Sequence, residues 1–380
     1  MRLSCLQENL NRGLTVIGRA VATRTTLPIT HNVLMSTDNG RLKLSATNLE
    51  LAISTWVGGV IEVEGSLTVP ARLLTEFVSS LGSESIDLDS ENNAKVLEIK
   101  CGRFEATISG TDSEEFPPIP SVDQGIRVQV DSQTLKTGIN QTVVAAATEE
   151  SRPVLTGIKL EVNEDQFTLA AADGFRLAVY KGNVERAVDE PISVIIPART
   201  LTEISRFIGD QQELIDVVVS PSGAQALFRL TNVEVVTQLI HGNFPTFAEI
   251  LEDAMKDTKT TVDVELDKFL SATRSASIFA RDSSGIVRMK LSPGEGDNSG
   301  QITISSRAEE LGENIGEIDG LVTGEESQIA FNSKYLLDVL SAIKTDNVSL
   351  TTSGPSRAGV FKATDSDHYM HLVMPMFVQW

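Results

Sequence analysis

Two histidines and an aspartate are the residues of this chain whose types and spacing could support metal binding or acid–base chemistry. His368 and His371 lie three positions apart, and Asp173 opens the sequence DGFRL. The alternating pattern around the histidines, DHYMHLVM, predicts a strand, in which residues three apart point to opposite faces. An aspartate before glycine commonly accepts hydrogen bonds from the backbone of its own turn. An enzyme with a carboxylate or metal site stays open as an alternative, but the pattern favours structural roles.

The missing catalytic motifs and the small number of cysteines also favour structural roles over enzyme chemistry. The chain contains no GxxxxGK(S/T) phosphate-binding loop, no GxSxG nucleophile elbow and no HExxH zinc motif. Cys5 and Cys101 are the only cysteines, too few for a disulfide framework or a zinc site. We expect both to be buried small hydrophobic residues in a reducing cytosol. We therefore predict no catalytic residue, no metal and no cofactor.

The elements that position these residues recur three times. Apolar stretches of helical periodicity follow the same kind of turn at residues 69–81, 196–208 and 331–343. A second helical pattern opens each unit, near Leu6, Asp131 and Glu265. Alternating runs at residues 41–53 and 166–180 predict hairpins with one buried face. Such recurrence indicates one α+β domain copied twice, with two helices and several strands in each copy.

The period of the repeat predicts three domains. Units of about 125 residues fall at the common domain size, and we place the domains at residues 1–123, 125–253 and 258–380. The acidic, proline-containing stretches at residues 111–125 and 243–260 are interpreted as connectors. The longer third unit has its extra residues largely in a predicted loop at 292–300.

Composition excludes several classes of protein. No segment approaches the roughly 20 apolar residues of a membrane span, and the polar N-terminal sequence MRLSCLQENLNRG is not typical of a signal peptide. We therefore expect a folded N-terminus and a cytoplasmic protein. A secreted carbohydrate-binding or adhesion repeat protein, a third interpretation, would normally carry a secretion signal.

The charge of the chain is large and unevenly distributed. With 32 Lys and Arg against 52 Asp and Glu, the formal net charge is −20, which should repel nucleic acid as a whole. Basic residues nevertheless recur on both predicted helices of every unit, while acids concentrate in strand ends and loops. Ordinary amphipathic helices with a solvated charged face are the alternative explanation. The basic residues are Arg12, Arg19, Arg24, Arg72, Lys136, Arg199, Arg206, Lys268, Arg274, Arg281, Lys334 and Lys344.

A set of short motifs in a fixed order resembles one protein family. The motifs are RTTLPI, VPAR, ADGFRLAV, GNFPTF, FNSKYLLDVL and HLVMPM, and they span the chain. Together they resemble the bacterial DNA polymerase III beta subunit, the replicative sliding clamp. The resemblance implies three similar domains, each with two helices on antiparallel sheets. It further implies a head-to-tail homodimer that closes a ring around duplex DNA, with the helices lining the hole and no chemistry of its own.

The resemblance also implies DNA-facing positions. Arg24 and Arg72 match positions that contact DNA in the family, and Arg199 stands in the second unit where Arg72 stands in the first. A guanidinium keeps its charge at cellular pH and offers phosphate several donors. Helix-end ion pairs are the alternative for each. The segment TEESRP departs from the family at Glu149, where the family can carry glutamine, and the chain departs again at Pro153 and Val154, where aromatic side chains can occur, so DNA contact through this loop stays an open question.

A hydrophobic groove for short linear motifs is a second implied site. Phe175 stands where the family commonly has histidine, and the chain ends in Phe377, Val378, Gln379 and Trp380, which is longer and more aromatic than usual. We therefore expect a groove of altered shape that Trp380 covers or extends. The matching residues are Leu155, Gly174, Phe175, Arg176, Leu177, Pro245, Ile250, Val373, Met374, Pro375 and Met376.

The resemblance finally implies a subunit interface and a set of partners. Ile278 and Phe279 match a third-domain segment that abuts the first domain of the second subunit; ordinary core packing is the alternative. The implied partners are double-stranded DNA without sequence preference, a second copy of the chain, the catalytic subunit of the replicative polymerase, the clamp loader and repair proteins. No membrane contact is expected.

Overall fold

The computed structural model describes residues 1–90, 95–122, 124–149, 151–281, 284–294, 299–310 and 312–379. The described residues form two compact units, unit 1 with residues 1–133 and 203–239, and unit 2 with residues 134–202 and 240–380. The α-helices are α1 (Gln7–Ile17), α2 (Ala71–Ser80), α3 (Ser132–Thr142), α4 (Ala198–Ile208), α5 (Phe247–Met255), α6 (Leu266–Arg281) and α7 (Ser333–Ala342).

The strands are short, as antiparallel strands joined by turns usually are. They are β1 (Arg2–Leu6), β2 (Asn32–Asp38), β3 (Arg41–Thr47), β4 (Leu51–Val57), β5 (Gly59–Val63), β6 (Ser66–Pro70), β7 (Ser85–Asp89), β8 (Val96–Cys101), β9 (Phe104–Ser109), β10 (Ile126–Val130), β11 (Gly157–Asn163), β12 (Gln166–Ala172), β13 (Arg176–Asn183), β14 (Ile192–Pro197), β15 (Ile215–Val219), β16 (Gln225–Arg229), β17 (Val233–Gln238), β18 (Thr260–Glu265), β19 (Ile286–Ser292), β20 (Gly300–Ala308), β21 (Gly312–Gly324), β22 (Ser327–Asn332), β23 (Asn347–Thr352), β24 (Gly359–Ala363) and β25 (Tyr369–Val373).

Unit 1 contains two antiparallel sheets. The first has the strand order β5-β1-β7-β8-β9, and the second has the order β10-β15-β16-β17-β4-β3-β2-β6. In the second sheet, the last strand of the second repeat, β17, pairs with β4 of the first repeat, with Leu51 opposite Thr237. Strand pairing therefore joins successive repeats.

Unit 2 contains one antiparallel sheet of twelve described strands. Its order is β14-β11-β12-β13-β25-β24-β23-β18-β21-β20-β19-β22. Here β25, the last strand of the third repeat, pairs with β13 of the second, with Arg176 opposite Val373. The second junction thus repeats the strand arrangement of the first.

The helices form where apolar residues recur with helical spacing. Leu10, Leu14 and Ile17 of α1 are fully buried, which gives the helix one apolar face. On α7, Leu336, Val339 and Leu340 are equally buried, and the Asn332 side chain caps the helix by accepting from the N–H of Lys334 at 2.9 Å. The six predicted helices and both predicted hairpins are present, so the α+β prediction is confirmed.

One helix was not predicted from the sequence. The stretch interpreted as a connector at residues 243–260 contains the helix α5. Phe247, Leu251 and Ala254 lie at helical spacing and pack into one apolar cluster, with Leu251 buried. This spacing is itself a helical signal, which the acidic composition of the stretch concealed. The predicted loop at 292–300 includes residues 295–298, which lie outside the described residues.

No helix in the described ranges combines the length and the apolar character that crossing a membrane requires.

Candidate docking groove and nucleic-acid interface

A tight turn between β12 and β13 forms the centre of the candidate groove. The Asp173 Oδ1 accepts hydrogen bonds from the backbone N–H groups of Phe175, at 2.8 Å, and Arg176, at 3.1 Å. Gly174 occupies the turn with a φ of +96°, a conformation that glycine adopts without the steric cost of a Cβ. Asp173 therefore closes its own turn, as the sequence predicted.

The guanidinium of Arg176 is buried among partners of opposite charge. Its Nε donates to Asp173 Oδ2 at 2.9 Å, and its Nη1 donates to Asp338 Oδ2 on α7 at 2.6 Å. The guanidinium carbon also lies 4.3 Å from the centre of the Tyr335 ring, within the range of a cation–π interaction. Only 7% of Arg176 is exposed, so this cation is held by two carboxylates and one aromatic face.

The C-terminal tail continues from β25 along the same turn. The N–H of Met374 donates to the Phe175 carbonyl at 2.8 Å, and the N–H of Met376 donates to the Ala330 carbonyl of β22 at 2.7 Å. Met374 is 43% exposed and Phe377 is 85% exposed. Two backbone hydrogen bonds thus fix the tail while the side chains of Met374 and Phe377 face solvent.

A buried apolar cluster contains several of the predicted groove residues and their neighbours in the chain. Leu155, Leu177, Leu251 and Leu372 belong to it, and Phe244 packs against it. Ile250, 41% exposed, directly precedes Leu251 of the cluster, and Phe175, 58% exposed, lies two positions before Leu177. The site therefore combines a packed floor with an apolar rim that is open to solvent.

A cleft of about 150 Å³ opens beside the turn. Phe175 and Arg176 line it together with Tyr335 and Lys334 of α7. Desolvation, followed by the nearby Asp173 carboxylate, raises the pKa of Tyr335 above its ordinary value, so its hydroxyl stays protonated at neutral pH. The other lining residues are Ala146, Ala147, Thr148, Glu149, Ser151, Arg152 and Asp173.

The predicted groove residues divide by burial. Gly174, Phe175, Pro245, Ile250 and Met374 are exposed, and Pro375 and Met376 are half-buried. The remaining predicted residues are buried, namely Leu155, Arg176, Leu177 and Val373. Trp380, expected to cover or extend the groove, lies outside the described residues.

Sequence reasoning missed Tyr335, Asp338 and Arg152 as residues of this site. Arg152 Nη2 donates to the Asp173 carbonyl at 3.0 Å, and Asp338 reaches Arg176 across 162 positions of sequence. The motif FNSKYLLDVL contains both Tyr335 and Asp338. Their positions at adjacent turns of one helix were a signal that they could act together.

The three arginines proposed to face DNA are all exposed. Arg24 lies in the segment between α1 and the short 3-10 turn at Pro28–His31. Arg199 lies in the first turn of α4. Arg72, in the first turn of α2, is paired with Glu76 at 2.7 Å, and this hydrogen bond raises the pKa of Arg72. An exposed i,i+4 pair of this kind contributes little to stability, so Arg72 can exchange Glu76 for another anion.

Nine of the twelve basic residues predicted to lie on helices do so, whereas Arg19 and Arg24 follow the end of α1 and Lys344 follows the end of α7, because these helices end earlier than the sequence pattern suggested. Of the twelve named above, all are exposed except Lys136, which is half-buried. Several are paired locally, as in the ion pair of Lys268 with Glu265 at 2.6 Å. In the loop that departs from the family, Glu149 and Pro153 are exposed and Val154 is half-buried.

Ile278 and Phe279, the proposed interface residues, lie near the end of α6. Ile278 is 59% exposed and Phe279 is half-buried. An isoleucine exposed to this degree is not part of the core of the described chain. Its exposure is compatible with a protein interface.

The two histidines considered for metal binding have separate surroundings. His371 Nδ1 lies 2.7 Å from the Tyr369 hydroxyl inside unit 2, and His368 Nδ1 lies 3.0 Å from the Lys181 carbonyl at the surface. Burial, with a smaller contribution from the Arg176 charge, lowers the pKa of His371 to about 3. Burial likewise raises the pKa of Tyr369. Within the described ranges, no group of three or more His, Cys, Asp or Glu residues is arranged to hold a metal ion.

Comparison with known proteins matches the whole chain to one family. The N-terminal, central and C-terminal domain models of the DNA polymerase III beta subunit match residues 1–120, 129–246 and 255–377. The beta sliding clamp of Bacillus subtilis is 28% identical over 99% of both chains, and that of Synechocystis is 29% identical over 99% of both.

Solved structures agree with the sequence comparison. The crystal structure of the DNA polymerase sliding clamp from Bacillus subtilis aligns over 100% of both chains, with a TM-score of 0.92 and 28% identity. The DNA polymerase III beta subunit from Pseudomonas aeruginosa aligns over 99% of this chain and 100% of its own, with a TM-score of 0.89 and 26% identity.

Three repeats of helices on antiparallel sheets, joined by strand pairing from one repeat to the next, define the class of DNA sliding clamps. The chain belongs to the DNA polymerase III beta subunit family. This family binds DNA and DNA polymerase and is a non-catalytic processivity factor.

Proposed function

We propose that two copies of this chain join head to tail into a closed ring around duplex DNA, which keeps the replicative polymerase on its template. The observation that carries the proposal is the strand pairing between successive repeats. The fourth strand of the first repeat, β4, pairs with β17, and its counterpart in the second repeat, β13, pairs with β25. The corresponding strand of the third repeat is β21.

The described residues leave one edge of β21 and one edge of β9 without a strand partner. Residues 312–320 of β21 pair with β20, whereas β18 pairs only with residues 321–324. In unit 1, β9 is the last described strand of its sheet and pairs there with β8 alone. Because an open edge is a template for another strand, β9 of a second copy completes β21 as β17 completes β4. Ile278 and Phe279 would then pack at this subunit contact.

Arg24, Arg72 and Arg199 are proposed to face DNA inside the ring. Retention of a closed ring on DNA is topological, so these contacts need only orient the duplex. Exposed, sequence-independent contacts to phosphate suit sliding, because each is weak and exchanges with water and salt. The net charge of −20 keeps the remaining surface from competing for DNA.

The apolar site around Phe175, Met374 and Ile250 is proposed to receive short linear motifs. Peptide segments of the polymerase catalytic subunit, the clamp loader and repair proteins would bind there in turn. Exposed methionine adapts its shape to different side chains, and the backbone hydrogen bonds of the turn and tail pre-organise the rim. The proposed domains are residues 1–123, 125–253 and 258–380, and the proposed location is the cytoplasm.

A loading assay tests the ring directly. The chain is loaded by a bacterial clamp loader onto nicked circular DNA, and the complex is isolated by gel filtration before and after the circle is cut once. We expect the protein to stay on the circle and to leave the linear form. Equal retention on both forms, or retention on neither, would contradict topological binding.

A further inference from the structure

We infer that Asp338, which lies outside the apolar groove, is a positioning residue for peptide binding: with Asp173 it holds Arg176 against Tyr335, and this fixes one wall of the cleft. The inference rests on the proposed peptide-binding function. According to this inference, a charge network that includes α7 affects how tightly a peptide binds at the turn between β12 and β13.

The network joins segments that are far apart in sequence. Arg176 begins β13, Asp338 and Tyr335 lie one turn apart on α7, and Asp173 closes the turn. The 2.6 Å contact to Asp338 and the 2.9 Å contact to Asp173 use two different nitrogens of the guanidinium. With both nitrogens engaged, the guanidinium plane has little freedom to rotate away from the Tyr335 ring.

The first repeat shows that the turn itself does not need an arginine. There, Asn48 Oδ1 accepts from the N–H groups of Glu50, at 3.1 Å, and Leu51, at 2.8 Å. This is the same pair of hydrogen bonds that Asp173 accepts in the second repeat. Leu51 holds the place of Arg176, so an apolar residue suffices to close the turn. The arginine therefore has a role beyond turn formation, at the junction that carries the cleft.

The acidic residue that corresponds to Asp338 has different partners in the second repeat. Glu203 on α4 stands at the position of Asp338 on α7, counted from the turn before each helix. It pairs with Arg206 of its own helix at 2.6 Å, and its second oxygen lies 3.7 Å from Arg19. Of these two helices, as far as the described residues show, α7 links its acid to the hairpin turn and α4 does not. Helix α7 is the one that supplies Tyr335 to the cleft.

Electrostatics indicates what removal of the network would do. A buried cation that loses one of its carboxylates is strongly destabilised, whereas replacing the whole pair by apolar residues of similar volume is often neutral. The double substitution Arg176→Met with Asp338→Leu avoids leaving Arg176 with an incomplete set of partners, but it also removes a residue of the cleft, so a single variant of Asp338 is needed beside it. Asp338→Asn is the milder single variant, because it keeps the side-chain volume and one hydrogen-bond acceptor.

Two measurements test the inference. The first is the affinity of a synthetic peptide carrying the clamp-binding motif of a bacterial replicative polymerase, measured by calorimetry on the full-length chain. The second is ¹⁹F NMR of fluorotyrosine-labelled protein, which has only three tyrosines, with Tyr335→Phe to assign the Tyr335 signal. Asp367→Asn, which breaks the exposed pair with Lys362 at 3.4 Å, is the matched control.

We expect both network variants to bind the peptide about tenfold more weakly, as is common for coupled neighbours. Their Tyr335 signal should shift while the Tyr180 signal stays, and Asp367→Asn should match wild type. A folded double variant with wild-type affinity would overturn the inference. So would weaker binding with an unmoved Tyr335 signal, because the affinity would then have been lost without any displacement of Tyr335. If wild type itself binds no peptide, the proposed groove function fails, a separate outcome.

Discussion

The backbone N–H of Met374 donates a 2.8 Å hydrogen bond to the carbonyl of Phe175. This bond joins the C-terminal tail to the turn that Asp173 closes, so the two apolar rim residues have a fixed separation. Both side chains are largely exposed. Backbone geometry therefore sets the rim of the proposed groove, and a change in the backbone of the turn should shift the position of the tail.

Substitution of Gly174 tests this dependence. In Gly174→Ala the alanine would have to keep a φ of +96°, and its Cβ would lie 2.9 Å from Arg152 Nη1. We expect a decrease of roughly 1–3 kcal/mol in stability from the strained backbone, with weaker peptide binding because the turn moves. Gly354→Ala is the control, since Gly354 has a φ of +126° with no atom within 4 Å of the new Cβ. Equal effects of both variants on peptide affinity would contradict the proposed rim.

The register of the subunit contact follows from the first junction between repeats. Ala52 of β4 lies opposite Val236, eight residues before Phe244 of the NFPT sequence. Ile108 stands the same eight residues before Phe116 of the EFPP sequence. Gly312 corresponds to Ala52, because each pairs with the last strand residue before its hairpin turn, Ala308 and Thr47 respectively. Ile108 should therefore lie opposite Gly312, and Thr107 opposite Glu313. The pair Thr107→Cys and Glu313→Cys should therefore form a covalent dimer on mild oxidation, visible on a non-reducing gel.

A shifted pair is the control for that experiment. Thr107→Cys with Asn314→Cys is out of register by one residue, which turns the two thiols to opposite faces of the sheet. It should crosslink poorly. Equal crosslinking of both pairs would reject this register.

The proposed interface residues are tested by Ile278→Asp with Phe279→Asp. This double variant should halve the mass found by light scattering, and an unchanged mass would remove these residues from the interface.

The salt dependence of DNA binding tests the proposed arginines. Replacing Arg24, Arg72 and Arg199 by glutamine should lower the slope of log affinity against log salt by roughly 0.9 for each phosphate that is no longer neutralised. Fluorescence anisotropy with a labelled duplex, titrated at several salt concentrations, gives this slope. Arg186→Gln, the control, changes an equally exposed arginine outside the proposed DNA-facing set. If the slope falls as much in this control, the salt dependence reflects the net charge of the protein and not contacts made by the three proposed arginines.

Acid stability should depend on His371. Burial lowers the pKa of His371 to about 3 from an ordinary value of 6.5, so below pH 6.5 the unfolded chain binds a proton that the folded chain does not. Its contribution to stability is therefore complete above pH 6.5 and falls by up to about 1.4 kcal/mol per pH unit towards pH 3. In His371→Asn, whose side-chain amide can still hydrogen-bond the Tyr369 hydroxyl, urea denaturation should show a shallower decline in stability between those pH values. If stability declines as steeply with falling pH in this variant as in wild type, His371 is not the residue responsible for the decline.

The two thiols should be unreactive in the folded chain. Cys5 and Cys101 are 5% and 3% exposed, and desolvation, followed by the Asp87 charge, raises the pKa of Cys5 to about 12. Because the thiolate is the reactive form, a thiol reagent at pH 8 should label neither cysteine until denaturant is added. Rapid labelling of native protein would show that β1 or β8 opens easily.

The sequence by itself determined the repeated elements of this protein. Helical spacing buries Leu10, Leu14 and Ile17 on one face of α1, and such spacing is local, so it can be read without a fold. The turn role of Asp173 was predictable for the same reason, because its partners lie two and three residues away. Helix α5 had an equivalent signal and was missed only because its acidic residues suggested a connector.

Only the tertiary structure decided how the elements combine. The contact of Arg176 with Asp338, and the pairing of β13 with β25, bring together residues more than 150 positions apart. Many strands could pair equally well by their alternation alone, because backbone hydrogen bonding is the same for every sequence. The choice among them depends on which apolar faces are buried together and which charges find a partner. Those are properties of the folded chain, and they place Tyr335 beside Phe175 at the candidate site.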